Sequence, residues 1–395
     1  MSDTVICGAG IGGLATALAL AKAGFSSLVL EKSDQLGEVG AGIQLAPNAF
    51  KALDRLGVAA AVQATAVQID AIELRDMVSD EALVRFDTGV EFVSAYGFPY
   101  AVAHRAHLHE ILLNACRLSG RVRIETGCEV VAVENGSSDS EVILRDERRF
   151  RADILVGADG INSIIRKFLI SGEEPRLAGH TIYRTLIPVE IVPPELRRAQ
   201  VTLWAGPHAH AVAYPISSGR LINLAITVDD GCYIPARGIS VELMAVRSAL
   251  SDVAGSLATL LSLSEKWLRW TLADRPPTPG WSVGCATLVG DAAHATLQYL
   301  AQGAALALED ALVLMEELSK TPNDVSSAML NYESRRFSRT SSVQILSRAI
   351  CESVYHATGT AADVRNTALK IMNQEQIRMK THWLYGSSDD SYAHI

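Results

Sequence analysis

Six residues decide the fold of this chain: Gly8-Ala9-Gly10-Ile11-Gly12-Gly13. A short apolar run, Val5 to Cys7, precedes them, and small and apolar residues follow from Leu14 to Ala23. Glycines with this spacing permit a tight turn, close approach of a pyrophosphate and close packing of a helix on a strand. We therefore predict a strand and a helix joined by a phosphate-binding turn, with Gly8, Gly10 and Gly13 in a dinucleotide site.

The residues after this helix strengthen the prediction. Gly24 is placed to end the helix, and Leu28-Val29-Leu30 is typical of a second buried strand. Glu31 follows at the distance expected for a carboxylate that binds the ribose hydroxyls, and Lys32 beside it is assigned to the same site. An acidic residue here disfavours a 2′-phosphate, so the expected nucleotide is of the FAD or NAD type.

Composition limits the classes of function. A chain of 395 residues has room for more than one domain, and 49% hydrophobic with 20% charged residues is typical of a globular protein. The net charge of −9 argues against a nucleic-acid partner, which requires a basic surface. The six cysteines are scattered without zinc-ligand spacing, so no metal site is expected and a reducing compartment is favoured.

The N-terminal residues do not resemble a targeting segment. The apolar start at Val5 lacks a basic leader and runs directly into the glycine turn. No apolar stretch reaches the roughly 18 residues that suggest a membrane span. We expect a cytoplasmic protein without a membrane span.

Two further motifs lie downstream in the chain. Asp159-Gly160 follows the apolar run Asp153 to Val156, and Gly290-Asp291 follows Leu288-Val289. Each motif alone could be an ordinary Asp-Gly turn or a helix-capping aspartate. Their order after the first glycine motif matches the DG and GD fingerprints of flavoprotein hydroxylases.

The three motifs together resemble the group A, single-component FAD-dependent aromatic hydroxylases, which have the fold of para-hydroxybenzoate hydroxylase. Further similar segments are Gly40-Ala41-Gly42-Ile43-Gln44-Leu45, Pro47-Asn48, His104-Arg105, Asp274-Arg275-Pro276-Pro277 and Tyr332-Glu333-Ser334-Arg335-Arg336. The resemblance implies FAD as the cofactor. It places on FAD, besides the first motif, residues Gln44, Arg105, Val130, Asp159, Asp291, Gly303 and Ala304.

The resemblance predicts an α/β fold with a Rossmann-like FAD-binding domain, a sheet-based substrate domain and a helical C-terminus. We expect the FAD-binding domain at 1–169, with inserted substrate-domain strands near 70–105, and its return at 271–320. The substrate domain is expected at 170–270, with one helical stretch near Val241 to Leu263. The helical region 321–395 is expected to cover the FAD-binding domain, although it could contribute to a homodimer.

One departure from the family points to a branch within it. Similar enzymes usually carry proline four residues after the GD histidine, where this chain has Gln298. The string Leu297-Gln298-Tyr299-Leu300-Ala301-Gln302-Gly303-Ala304 resembles the 3-hydroxybenzoate 6-hydroxylase branch, in which a glutamine lies in the active site. The alternative is a polar loop residue on the surface.

A second group of polar residues is placed on the substrate side. In His208-Ala209-His210-Ala211-Val212-Ala213-Tyr214, the even spacing would put His208, His210 and Tyr214 on one face of a strand. The HxxxY spacing is similar to the substrate strand of 3-hydroxybenzoate and 6-hydroxynicotinate hydroxylases. Structural roles are the alternative for these residues and for Tyr100, a further candidate for the substrate site.

The resemblance implies a monooxygenase that uses O₂ and hydroxylates a small aromatic acid. We expect 3-hydroxybenzoate to become 2,5-dihydroxybenzoate (gentisate), with His210 accepting the phenolic proton and Tyr214 and Gln298 orienting the ring. Only one dinucleotide fingerprint is visible, so NADH or NADPH is expected as a transient electron donor. The sequence does not distinguish the two.

Two other functions remain as alternatives. A decarboxylating hydroxylase of salicylate or 6-hydroxynicotinate would keep the fold, but similar decarboxylating enzymes tend to keep proline at the position of Gln298. A flavin-binding redox sensor without catalysis would bind FAD and show no substrate-stimulated oxidation of NAD(P)H.

Overall fold

The computed structural model describes residues 3–37, 42–136, 139–170, 174–250 and 252–386. Gly40 and Ala41 of one family-like segment lie outside this part of the chain, as do residues 387–395 of the predicted helical region. Within the described residues no helix combines the length and apolar character needed to cross a membrane.

The described strands vary from two to thirteen residues in length. In chain order they are β1 (Thr4–Cys7), β2 (Ser27–Leu30), β3 (Gly42–Leu45), β4 (Val67–Gln68), β5 (Ala71–Asp76), β6 (Ala82–Asp87), β7 (Ala101–His104), β8 (Val122–Glu125), β9 (Val130–Asn135), β10 (Ser140–Leu144), β11 (Arg149–Ala152), β12 (Ile154–Gly157), β13 (Arg176–Pro188), β14 (Gln200–Gly206), β15 (Ala209–Ile216), β16 (Leu221–Cys232), β17 (Ile239–Glu242), β18 (Lys266–Asp274) and β19 (Ala286–Leu288).

The α-helices become frequent toward the C-terminus. They are α1 (Ile11–Lys22), α2 (Pro47–Arg55), α3 (Ala59–Thr65), α4 (Val90–Tyr96), α5 (Arg105–Leu118), α6 (Ile164–Leu169), α7 (Leu243–Ser248), α8 (Gly255–Ser262), α9 (Asp291–His294), α10 (Gly303–Lys320), α11 (Val325–Ile350), α12 (Gly359–Lys370) and α13 (Gln374–Tyr385). Short 3₁₀ segments occur at Val189–Ile191, Pro194–Leu196 and Gln298–Leu300, and a π-helical segment at Cys351–Tyr355 continues α11.

A five-stranded parallel sheet has the order β19-β12-β1-β2-β8. Its central strand β1 is completely buried, and Val5 pairs with Leu155 on one side and Leu28 on the other. Parallel neighbours require crossovers, which α1 supplies between β1 and β2. The predicted strand-turn-helix-strand unit is therefore confirmed, and Gly24 follows the helix with φ +92° as expected.

An eight-stranded sheet has the order β17-β18-β13-β16-β15-β14-β5-β6. Its neighbours are antiparallel except β14 and β5. One face packs on an apolar cluster that contains Trp204, Trp267 and the leucines of α8. The other face turns toward the five-stranded sheet, so β13, β15 and β16 form one wall of the space between the two sheets.

The predicted helical stretch from Val241 to Leu263 is wrong as a single element. Residues Ile239–Glu242 pair with β18 as an edge strand, and two short helices, α7 and α8, follow. The second begins at Gly255, whose φ of +55° interrupts a continuous helix, and Asp80 accepts a hydrogen bond from the Ser256 backbone.

Candidate active site

A cavity of about 520 Å³ lies between the two sheets. It reaches from the glycine turn after β1 to the face of β15 and β16 that is turned toward the five-stranded sheet. The predicted site residues that line it are Gly10, Gln44, Tyr100, Arg105, His210, Tyr214, Asp291, Gln298, Gly303 and Ala304. The fold therefore brings residues that are almost 300 positions apart in sequence to one space.

The glycine turn is shaped by close backbone contacts. Gly8 has φ +109°, and a Cβ there would lie 2.4 Å from the Ala158 carbonyl oxygen. A Cβ at Gly13 would lie 1.9 Å from the Gly8 carbonyl oxygen, whereas one at Gly10 would meet nothing within 4 Å. No side chain caps the start of α1. Gly10 and the helix N-terminus thus leave space and backbone N–H groups for a pyrophosphate.

Glu31 braces this turn. Its carboxylate accepts hydrogen bonds from the backbone N–H groups of Ala9, at 2.8 Å, and Ser33, at 3.0 Å. Lys32 is exposed and Val130 pairs with Leu144 at the start of β9, and neither lines the cavity. Contacts of these three residues with the adenosine end of a cofactor remain predictions.

Asp159 lies beneath the cavity wall formed by Ala158 and Gly160. One carboxylate oxygen accepts hydrogen bonds from the backbone of Ile164 and Ile165 at 2.7 and 3.2 Å. The other oxygen is buried and has no hydrogen-bond partner among the described atoms. Burial raises the pKa of this carboxyl group. Its predicted role on FAD remains untested.

The second half of the cofactor cradle surrounds the Gly290-Asp291 motif. Asp291 is exposed at the start of α9, and Gly303 and Ala304 begin α10, whose N-terminus carries no side-chain cap. Both helix starts line the same cavity as the first glycine turn. Open helix N-termini and small residues fit a dinucleotide such as FAD.

Side chains of α10 and α11 support this motif on the side away from the cavity. The carboxylate of Asp310 accepts hydrogen bonds from the Gly290 N–H, His294 Nε2 and Arg336 Nε at 2.9, 2.6 and 2.7 Å. Burial opposes the charge of Asp310, but His294 and Arg336 hold its pKa at about 2. Tyr332 donates to the Leu288 carbonyl at 3.0 Å. The Tyr332 to Arg336 segment therefore supports the GD turn from outside the cavity.

His210 and Tyr214 both face the cavity from β15 and are buried. Burial, followed by the nearby His356 and His180, lowers the pKa of His210 well below its ordinary value, so the ring is neutral. Burial raises the pKa of Tyr214 to about 12, although Arg184 opposes the shift. Tyr214 therefore keeps its proton at neutral pH and can donate a hydrogen bond.

His208 does not belong to this polar row, so the expectation of three residues on one strand face is wrong. It lies before β15 in the turn from β14, with φ +56°, and its side chain is 67% exposed. Its Nδ1 lies 3.8 Å from a carboxylate oxygen of Asp229. The turn ends the strand pairing at Ala209, which removes His208 from the period-two pattern.

Sheet register places a cation that the sequence analysis missed. Ala225 of β16 pairs with both Val212 of β15 and Arg184 of β13, so Arg184 lies in one row with Val212, between His210 and Tyr214. The only sequence signal is a charge within the otherwise uncharged run Thr181 to Ile187. Burial lowers the pKa of Arg184, and the positive charge of Arg105 adds to the shift.

Gln298 links Arg184 to the neighbouring strand. Arg184 Nη2 donates to Gln298 Oε1 at 3.0 Å, and Gln298 Nε2 donates to the Thr227 hydroxyl at 2.8 Å. The Nε atom of Arg184 is buried without a hydrogen-bond partner among the described atoms. On the opposite wall Tyr100 donates to the Gln44 side-chain oxygen at 2.7 Å. The cavity thus holds a base, phenol donors, an amide and a guanidinium.

Comparison with known proteins agrees with this geometry. Residues 1–345 match the family model described as FAD binding domain. The chain is 42% identical over 385 residues to 3-hydroxybenzoate 6-hydroxylase 1 of Aquipseudomonas alcaligenes, covering 98% of each chain. It is 39% identical to 3-hydroxybenzoate 6-hydroxylase of Klebsiella oxytoca, covering 98% of this chain and 97% of that one.

The fold is shared with Klebsiella pneumoniae HpxO, whose crystal structure contains FAD and uric acid. The TM-score is 0.86 over 98% of this chain and 97% of that one, at 24% identity. Fold and site together define an FAD-dependent monooxygenase. The chain belongs to the family of FAD-dependent aromatic hydroxylases.

Proposed function

We propose that this enzyme hydroxylates 3-hydroxybenzoate at C6 and releases 2,5-dihydroxybenzoate (gentisate), using O₂ and NADH or NADPH. The observation that carries the proposal is Arg184, a half-buried residue of the cavity whose Nε atom is buried and has no hydrogen-bond partner among the described atoms. A buried cation is costly unless an anion pairs with it. The carboxylate of an aromatic acid supplies that anion, and an arginine fork matches it geometrically.

The same face of the sheet gives the ring a second polar attachment. His210 and Tyr214 flank the position of Arg184, and all three line the cavity. A hydroxybenzoate that pairs with Arg184 directs its hydroxyl group toward one of these side chains. His210 is neutral and accepts the phenolic proton, whereas Tyr214 is protonated and donates to oxygen.

Removal of the phenolic proton determines which ring carbon is hydroxylated. A phenolate pushes electron density to its ortho and para carbons, and in 3-hydroxybenzoate the para carbon is C6. FAD, when bound along the two glycine motifs, supplies the oxygen-transfer chemistry after reduction by the nicotinamide donor. The contribution of the protein is to orient the ring, through Arg184, Tyr214 and Gln298, and to exclude water from the cavity.

The substrate assignment also rests on similarity to the relatives. Both reported relatives carry the name 3-hydroxybenzoate 6-hydroxylase and match nearly the whole chain. Gln298, the departure from the usual proline, hydrogen-bonds to Arg184 in the cavity and does not lie free on the surface. This contact supports a role in the site.

The decisive experiment measures substrate binding, turnover and product on one purified sample. Flavin absorbance reports bound FAD, and hydroxybenzoates are then screened for stimulated oxidation of NADH and NADPH. We expect 3-hydroxybenzoate to stimulate oxidation and gentisate to accumulate without release of carbon dioxide. Carbon dioxide from salicylate or 6-hydroxynicotinate would instead identify a decarboxylating enzyme, and bound FAD without stimulation by any of these acids would identify a non-catalytic flavoprotein.

The role of His210 has its own test. His210→Ala should bind FAD, since His210 contacts His356, Tyr299 and Tyr355 and neither glycine motif, and should hydroxylate 3-hydroxybenzoate on the order of a hundredfold more slowly than the parent. Hydroxylation at the parent rate would remove His210 from the mechanism.

A further inference from the structure

A row of hydrogen-bonding side chains connects the cavity to the protein surface behind His210. Nδ1 of His210 lies 2.9 Å from Nε2 of His356, and Nδ1 of His356 lies 3.5 Å from the Cys351 thiol. A ring nitrogen of His180 lies within 4.8 Å of that thiol, and Nδ1 of His180 lies 2.6 Å from the Tyr299 hydroxyl. We call these five side chains and the Asp229 carboxylate beyond them the relay.

The relay ends at solvent. Nε2 of His180 lies 3.8 Å from a carboxylate oxygen of Asp229, which is within ion-pair range but longer than a direct hydrogen bond. The Asp229 side chain is 42% exposed, whereas His180, His210, Tyr299, Cys351 and His356 are buried. All six groups can carry a proton, three of the contacts between them are direct hydrogen bonds, and among the six only Asp229 reaches bulk water.

The fold builds this row from three separate elements. His180 and His210 come from neighbouring parts of the large sheet, and Tyr299 follows the site residue Gln298 in a 3₁₀ segment. The π-helical segment Cys351–Tyr355 continues α11 and brings the Cys351 thiol within 3.5 Å of Nδ1 of His356. The Tyr355 ring stacks on the ring of His210, with the two ring centroids 4.8 Å apart. Such π-helical turns are frequent at functional sites.

We propose that the relay carries the phenolic proton of the substrate from His210 to solvent. This inference rests on the proposed function, because it requires a phenolic substrate at His210. The step is a proton transfer without redox change. The substrate O–H bond breaks as a bond to Nε2 of His210 forms, Nδ1 of His210 passes its proton to His356, and one proton leaves at Asp229.

Burial explains why His210 needs an exit for the proton. A positive charge on His210 is disfavoured by desolvation and by the adjacent rings of His356 and His180. Bound cofactor and substrate would close the cavity side to water. The titratable and charged groups around the relay are Arg348 in α11, Glu352 in the π-helical segment, Asp230 next to Asp229, and His208, whose Nδ1 lies 3.8 Å from Asp229. These two carboxylates favour movement of a proton toward the surface end.

A bound metal ion is the competing interpretation of part of this cluster. Ligand atoms of His180, Cys351 and His356 lie within 4.8 Å of one another, although the sequence pattern predicted no metal site. Hydrogen bonds, however, already join His180 to the Tyr299 hydroxyl and the Cys351 thiol to His356. Hydrogen bonds therefore satisfy these groups without a metal, and the experiment uses chelator-treated protein.

The test measures proton release and substrate binding separately. Oxidised holoenzyme is mixed with 3-hydroxybenzoate in a stopped-flow instrument, in weakly buffered solution with a pH-indicator dye. Flavin absorbance reports binding, and the dye reports the proton. In the parent we expect release to accompany binding. Tyr299→Phe and Asp229→Asn should slow release about tenfold or more while flavin-monitored binding stays unchanged.

Two further variants separate the relay from structural effects. Cys351→Ser keeps a group that can pass a proton and should retain release, whereas Cys351→Ala should slow it. Tyr183→Phe is the matched control, since Tyr183 lies on β13 near His180 but packs into the apolar cluster on the opposite face. It should release the proton at the parent rate.

The outcomes distinguish the two proposals. Parent-like release in both Tyr299→Phe and Asp229→Asn overturns the relay and leaves the proposed function standing, and so does a parent that binds 3-hydroxybenzoate without releasing a proton. A parent that binds none of the tested hydroxybenzoates overturns both. If Tyr299→Phe loses FAD, Asp229→Asn alone decides, because its side chain lies at the surface.

Discussion

Arg184 donates a hydrogen bond from Nη2 to the side-chain oxygen of Gln298 at 3.0 Å. The first residue belongs to the large sheet and the second to the 3₁₀ segment between α9 and α10. The bond therefore links the sheet wall of the cavity to the segment between α9 and α10, the two helices whose starts line the same cavity. Because the Gln298 amide also donates to Thr227, its orientation is fixed and its oxygen faces the guanidinium.

Replacing Arg184 tests whether this guanidinium binds the substrate carboxylate. Arg184→Met keeps much of the apolar stem and removes the charge. We expect the Kd of 3-hydroxybenzoate to rise about 30-fold, corresponding to about 2 kcal/mol for a buried charged contact. A titration monitored by flavin absorbance measures this Kd. Arg247→Met, a change in the last turn of α7, is the control and should bind like the parent.

The substrate offers a matched test of the same contact. A neutral analogue, 3-hydroxybenzyl alcohol, lacks the carboxylate and should bind the parent and Arg184→Met with similar affinity. If the substitution weakens the neutral and the charged ligand equally, Arg184 shapes the cavity and does not pair with the carboxylate.

Gln298→Glu changes one side-chain group in the same place. The new carboxylate would pair with Arg184 at the position of the present hydrogen bond and compete with the substrate anion. We expect the Kd of 3-hydroxybenzoate to rise by about a factor of ten or more, with little change for the neutral alcohol. Unchanged affinity for 3-hydroxybenzoate would show that Arg184 binds Gln298 and does not pair with the substrate carboxylate.

The two ends of the glycine turn should respond differently to alanine. A Cβ at Gly13 would collide with the Gly8 carbonyl at 1.9 Å, so Gly13→Ala should disrupt the fold itself. A Cβ at Gly10 meets nothing within 4 Å, so Gly10→Ala should fold and bind FAD weakly. Circular dichroism and flavin content distinguish these results. Full flavin content in Gly10→Ala would place the pyrophosphate elsewhere.

The sequence was sufficient to predict the parallel sheet and its glycine turn because both depend on local residue order. The run before Gly8, the helix after Gly13 and the position of Gly24 follow from adjacent residues. The family resemblance added the downstream motifs, and the comparisons confirm the FAD-dependent monooxygenase. Periodicity failed at His208 because one turn residue with positive φ interrupts the strand pattern.

Long-range register was beyond the reach of sequence patterns. Arg184 enters the site only because β13 pairs with β16 so that Arg184 faces Ala225. His356 lies 146 residues from its partner His210. It follows a π-helical segment that no local sequence pattern predicted. These contacts depend on how strands and helices from distant parts of the chain meet, which neither spacing nor composition determines.

Acid should loosen the support behind the GD motif. Burial opposes the charges of Glu309 and Asp310 in α10. Arg339 and Arg336 hold the pKa of Glu309 at about 2, and His294 and Arg336 hold that of Asp310 at about 2. A depressed pKa stabilises the fold fully above the unfolded value near 4, and this stabilisation disappears as pH falls toward 2. For Asp310 we expect a loss on the order of 2 kcal/mol in the free energy of unfolding between pH 5 and pH 2, measured by urea denaturation.

Asp310→Asn should be less stable than the parent at pH 7, where the parent carboxylate pairs with Arg336, and its free energy of unfolding should fall less on acidification. An equal loss in parent and variant would assign acid sensitivity to other carboxylates.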